Sequence, residues 1–172
     1  DMLAKQALKL LNKNLRLVLK DGSNLEARQN MLLGSMLAGQ AFANAPVGAV
    51  HALAYPLGGH FHLSHGHSNA LVLVEVLKFN ASKAKQHYAE LMQLLDPRST
   101  GCTDGLCDLF IDHMQNQLDQ SGLTLKLKDL DIAEAKLPQL AKDAMLQTRL
   151  LQNNPREMTE QDALQIYQAI YA

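Results

Sequence analysis

Residues 41–73 read AFANAPVGAVHALAYPLGGHFHLSHGHSNALVL, and the reading of this stretch organises the rest of the chain. It holds five of the seven histidines, among them His51 and His65, fourteen positions apart. Pro56-Leu57-Gly58-Gly59 lies between those two, and apolar sequence of helical spacing flanks both. The pattern predicts helix, turn, helix. Pro46 starts the first helix, Pro56 kinks or ends it, Gly58-Gly59 opens the turn, and the second helix begins at Ser64 or His65. Such a turn would let the two imidazoles face one point. Neutral imidazole nitrogen binds divalent transition metals, and two rings on neighbouring elements can share an ion.

Toward the N-terminus, residues 2–19 carry apolar positions at helical spacing, and Asp21-Gly22-Ser23-Asn24 breaks them. Gly22 suits the position after a helix end, and Asn24 suits the N-cap of a helix from about Leu25 to Asn44. Gly34 and Gly39 inside that helix each weaken it by about 1 kcal/mol relative to Ala, which points to close packing against another backbone. Toward the C-terminus, a nearly continuous apolar run predicts a buried helix to about Asn80. Ser82 would cap the next helix, to Leu95. A loop at 96–101 precedes a helix from Thr103 or Asp104 to about Gln120, stopped by Gly122. Residues 123–135 alternate briefly and read as an extended connection with a helical turn at Lys128–Leu130. Pro138 marks the first turn of a helix to about Met145. Thr159 and Asp162 have the spacing of a capping box for the last helix, to Tyr171. The expectation is an all-α fold, with residues 1–172 forming one helical domain.

Composition narrows the function. The formal net charge is −1, with no basic stripe, which argues against nucleic acid as a partner. Trp is absent while Leu and Ala dominate, as packed helices favour. Cys102 and Cys107 are too few for a disulfide scaffold and stand at no zinc-like spacing, so they read as ordinary thiols in a reducing, cytoplasmic setting. No apolar run reaches the roughly eighteen residues of a membrane span, so no membrane partner is expected. The sequence opens at Asp1 inside an amphipathic pattern, and the expectation is that further residues precede it.

Read alone, His51 on an apolar helix is a buried histidine satisfied by a backbone carbonyl, and His65 at a helix start is a surface residue. His60, His62 and His67 alternate around it as a solvated face would. The neighbouring residues change that balance. Gly39-Gln40-Ala41-Phe42-Ala43-Asn44-Ala45, Gly48, Val50-His51-Ala52, Pro56-Leu57-Gly58-Gly59, His65-Gly66 and Asn69-Ala70 together closely resemble the iron-dependent (group III) alcohol dehydrogenases. The opening ALKLLNKNL, LEARQNMLLGSMLAG and the closing NPREMTEQD extend the resemblance over nearly the whole chain.

The resemblance implies the C-terminal, all-helical metal-binding domain of a dehydroquinate synthase-like enzyme whose N-terminal nucleotide-binding domain is missing from this sequence. It implies a cation held by one Asp and three His, of which His51 and His65 match the last two. Ferrous iron, zinc or another divalent ion would serve, with NAD or NADP as the hydride carrier and an alcohol or aldehyde as substrate. The fragment alone would be inactive. Dimers are common in the family, so a second copy is an expected partner. Where many relatives carry a second histidine one turn after the third ligand, this chain has Tyr55, and Ser64 stands where proline is frequent. Tyr55 is a catalytic candidate, for a proton relay or a hydrogen bond to substrate, and equally a wall residue with its hydroxyl in water. Phe42, Asn44 and His62 are substrate-pocket candidates. Phe42 reads first as core, and Asn44 as the cap ending its helix. Two other readings stay open: a non-catalytic helical interaction module, and a maleylacetate reductase-like member of the same family. Glycerol dehydrogenase and dehydroquinate synthase relatives fit less well, because the Phe-Ala-Asn-Ala and Pro-Leu-Gly-Gly matches argue against them.

Overall fold

A computed structural model describes all 172 residues. Eight α-helices follow one another: α1 Met2–Lys20, α2 Leu25–Asn44, α3 Ala49–Phe61, α4 His65–Leu95, α5 Thr103–Asp119, α6 Leu137–Met145, α7 Thr148–Leu151 and α8 Glu160–Ala169. Short 3-10 turns lie at Leu127–Leu130 and Glu134–Lys136, and there is no strand. The all-α expectation holds. No helix is long and apolar enough to cross a membrane.

The residues group into two compact units. One comprises residues 1–46 and 85–112, the other residues 47–84 and 113–172. In the first, α1 and α2 form a hairpin. Asp21 makes its turn, its Oδ1 accepting from the Ser23 N–H at 2.9 Å and the Ser23 hydroxyl at 2.6 Å. Gly22 follows the α1 cap Asp21, the position the sequence suggests for it, without a left-handed conformation. Asn24 caps α2 by accepting from the Ala27 N–H at 3.0 Å. Gly34 is where the two helices meet, since a Cβ there would stand 2.9 Å from Leu11. Gly39 has no such neighbour, so the close-packing expectation fails at that position.

The second unit holds the largest apolar cluster. Leu53 and Leu57 of α3 and Val72 and Val76 of α4 pack with Leu127, Leu137, Leu140 and Tyr167. This packing explains the main departure from the sequence reading. Helix α3 runs straight through Pro56 and Gly58-Gly59 to Phe61, and the reversal falls at His62–Ser64. Burying Leu53 and Leu57 is worth about 1.5–3 kcal/mol each, enough to offset the roughly 3 kcal/mol of an interior proline. His62 then leaves the helix in the left-handed conformation (φ 55°, ψ 25°), its N–H bonded to the Gly58 carbonyl at 3.0 Å. A second departure is that α4 continues through Asn80–Ser82 for 31 residues. Asn80 is buried and exchanges amide hydrogen bonds of 2.9 and 2.8 Å with Asn154, so its side chain finds a distant partner instead of starting a turn. The turn at Leu127–Leu130, Pro138 in the first turn of α6 and the Thr159–Asp162 capping box stand as the sequence suggests.

Candidate metal centre

Helix α3 and the first turn of α4 supply the site, and both belong to the second unit. On α3, Ala52, Leu53, Ala54, Pro56 and Leu57 turn into the core. His51 and Tyr55, four residues apart and so on one helix face, are left toward the outside, half-buried and exposed respectively. The reversal at His62–Ser64 leads directly into α4, and His65 is its first residue.

Three rings converge. The centroids of His51 and His65 are 5.1 Å apart with a 50° interplanar angle. Tyr55 lies 6.4 Å from His51 and 6.3 Å from His65. Burial lowers the pKa of His51 from its ordinary value, and the neighbouring His65 lowers it further. A lowered pKa keeps the ring neutral, the form that donates to a metal. The backbone-carbonyl bond expected of an ordinary buried histidine is not what His51 makes; its neighbours are the two other rings.

The pair fits a shared cation. Two imidazoles on one ion at metal–nitrogen distances of about 2.0–2.1 Å set their ring centroids about 5 Å apart. No group of three or more His, Cys, Asp or Glu side chains gathers anywhere in the chain. The residues present therefore fit such an ion as two of its donors and no more.

The other candidates are not among these three rings. His62 is exposed at the end of α3 and takes no part in the ring cluster. Phe42 and Asn44 sit on α2, in the first unit. Phe42 is 58% exposed, so the reading of it as core is wrong. Asn44 is the last residue of α2, but the cap is Ala45, and the Asn44 side chain donates from Nδ2 back to the Gln40 carbonyl at 2.8 Å instead of capping the end. Cys102 is exposed and Cys107 buried, both as free thiols. The remaining histidines lie outward as the solvated-face reading has it, His60 and His62 exposed and His67 half-buried. His60 Nε2 meets Asp143 Oδ2 at 2.7 Å, and His67 Nε2 donates to the Thr124 carbonyl at 2.6 Å. Sequence reasoning missed Asn69, whose Nδ2 lies 3.2 Å from His65 Nε2. Its i,i+4 spacing from His65 was the available signal.

Comparison with known proteins follows the same stretch of chain. The sequence pattern described as "Fe-containing alcohol dehydrogenase family, C-terminal" matches residues 1–171. Long-chain-alcohol dehydrogenase 1 of Geobacillus thermodenitrificans is 37% identical over all of this chain and 44% of its own length. 1,3-Propanediol dehydrogenase of Klebsiella pneumoniae is 35% identical over 99% of this chain and 44% of its own. The crystal structure of a 1,3-propanediol oxidoreductase superposes with a TM-score of 0.94 at 34% identity, over 99% of this chain and 45% of that one. An alcohol dehydrogenase from Oenococcus oeni gives 0.92 at 33%, over 99% and 45%. The chain thus spans less than half the length of the curated relatives it matches. Matched from its first residue to its penultimate one, it belongs to the Fe-containing alcohol dehydrogenase family and corresponds to the C-terminal part of such proteins.

Proposed function

We propose that this chain is the metal-holding part of an alcohol dehydrogenase that moves hydride between an alcohol or aldehyde and NAD or NADP. The observation that carries the reading is the pair of imidazoles, His51 and His65, 5.1 Å apart in a chain of this family. A bound divalent cation, ferrous iron or zinc, would supply Lewis acidity toward the substrate oxygen.

His51 and His65 act as neutral donors to that cation. The lowered pKa of His51 keeps its lone pair available where an ordinary histidine is partly protonated. Tyr55 borders both rings and is 44% exposed. From there its hydroxyl can donate a hydrogen bond to a substrate oxygen, or exchange a proton with water. The further donors and the nicotinamide surface come from residues outside this sequence. Two imidazoles alone hold a cation weakly, so the 172-residue chain by itself is expected to lack dehydrogenase activity.

The test is a zinc titration of the chain against a chromophoric chelator, repeated on His51→Ala. The expected result is weak binding of one equivalent, reduced at least about tenfold by the substitution, which is the lower end of what even an outer partner of a ligand costs. Tight binding that His51→Ala leaves untouched contradicts the assignment.

A further inference from the structure

Asn69 stands one turn into α4, four residues after His65. Its Nδ2 donates to the His65 carbonyl at 2.8 Å and lies 3.2 Å from Nε2 of the same residue's imidazole. Asn14, Asn44 and Asn153 also donate from Nδ2 to the carbonyl four residues earlier. Those carbonyls belong to Leu10, Gln40 and Arg149, which have no ring to meet. The back-bond thus recurs at asparagines in this chain, within helices at Asn14 and Asn44 and just past α7 at Asn153. Among these asparagines only Asn69 adds a contact to a ring, though Gln117 Nε2 makes a like one, 3.4 Å from His113 Nε2 four residues earlier.

A carboxamide donates only from its nitrogen and accepts only at its oxygen. The bond to the His65 carbonyl fixes which end faces that residue, because the reversed amide would set two oxygens against each other. Nε2 of His65 must then be the ring nitrogen that carries the lone pair. In the neutral ring the proton therefore sits on Nδ1. Asn69 Oδ1 is buried and has no hydrogen-bond partner, an uncommon condition for a buried acceptor. The needs of the oxygen do not set the orientation. The two contacts of the nitrogen do.

We propose that Asn69 is a positioning residue, its carboxamide holding metal-free His65 in the tautomer whose lone pair lies on Nε2, and that the amide N–H gives up that lone pair when a divalent cation takes it. The inference rests on the reading of His65 as a metal donor given above. It adds how the donor atom is selected before any cation arrives. In water a histidine side chain prefers its proton on Nε2, so the amide works against the ring's own preference.

The test is ¹⁵N NMR of the His65 ring in metal-free protein, at a pH above the imidazole range. The wild-type chain is expected to show mainly the Nδ1–H form. Asn69→Leu should move the ring toward Nε2–H. Asn69→Asp, whose carboxylate can only accept, should turn it fully to Nε2–H. A wild-type ring already in the Nε2–H form, or a tautomer that neither variant changes, overturns the proposal. Circular dichroism reports whether each variant folds. Should Asn69→Leu fail to fold, the wild-type spectrum and Asn69→Asp decide. If His51→Ala leaves zinc binding unchanged, the metal reading fails while the tautomer result stands, so the two failures are separable.

Discussion

The Tyr167 hydroxyl donates a 2.6 Å hydrogen bond to the Leu53 carbonyl, tying α8 to the helix turn that begins two residues earlier with His51. Both residues are fully buried. Burial, with a smaller contribution from Asp143, pushes the Tyr167 pKa well above the ordinary phenol range, so the hydroxyl remains a donor at any working pH. Tyr167→Phe should lower stability by about 1–1.5 kcal/mol, the usual worth of such a bond. Urea unfolding measures it. No change in the midpoint would mean that the bond contributes nothing to holding α3.

Two glycines should respond in opposite directions to the same substitution. Gly59 lies inside α3, and a Cβ there would have no heavy atom within 4 Å. Gly59→Ala is expected to stabilise by about 0.5–1 kcal/mol through the chain entropy that glycine loses on folding. Gly34→Ala would place its Cβ 2.9 Å from Leu11. Overpacking of about 1–3 kcal/mol then outweighs the gain in helix propensity. Thermal melts of the two variants should shift apart, and a shift in the same direction would refute the packing of α1 on α2 described here.

Asp162 gives the chain an acid-sensitive end. Its Oδ2 accepts from the Thr159 hydroxyl at 2.6 Å and the Thr159 N–H at 2.8 Å. The Thr159 side-chain hydrogen bond is the largest influence on its carboxyl pKa, which lies below the ordinary 3.8. The folded value is below the unfolded one, so the stabilisation is fully present above pH 3.8 and is lost as pH falls through the lower folded value. Thr159→Ala should cost about 1 kcal/mol at neutral pH, the usual worth of a helix cap. That difference should shrink as pH drops below 3.8. A gap between the two proteins that is constant down to pH 2 would remove the carboxylate from the argument.

Much of the helix order was legible because caps and periodicity are local. Asn24, Pro138 and the Thr159–Asp162 pair each act within a few residues, and each does what its sequence context implies. The departures come where distant packing decides. Pro56 and Gly58-Gly59 read as a break, but the burial of Leu53 and Leu57 carries α3 past them. Asn80 and Ser82 read as a boundary, but Asn154, 74 residues away, takes up the Asn80 side chain. The same holds at the candidate site. His51 and Tyr55 share a face by spacing alone, whereas the approach of His65 depends on a reversal at His62, a non-glycine residue in the left-handed region. Nothing local marks that residue as the turn.

The chain has no strand, and so lacks the strand–turn–helix element that seats a dinucleotide pyrophosphate in sheet-based cofactor domains. It is expected to show no stoichiometric NADH binding when followed by NADH fluorescence. Saturable binding of one equivalent would place cofactor contacts within these 172 residues and undo the division of labour proposed above.

The most direct test of the shared cation is a double-mutant cycle in zinc affinity with His51→Ala, His65→Ala and the pair together. If both rings hold one ion, each single change removes most of the binding and the second adds little, so the two effects fall far short of adding. Full additivity, or a single change without effect, would mean that the two imidazoles lie 5.1 Å apart without serving a common ion.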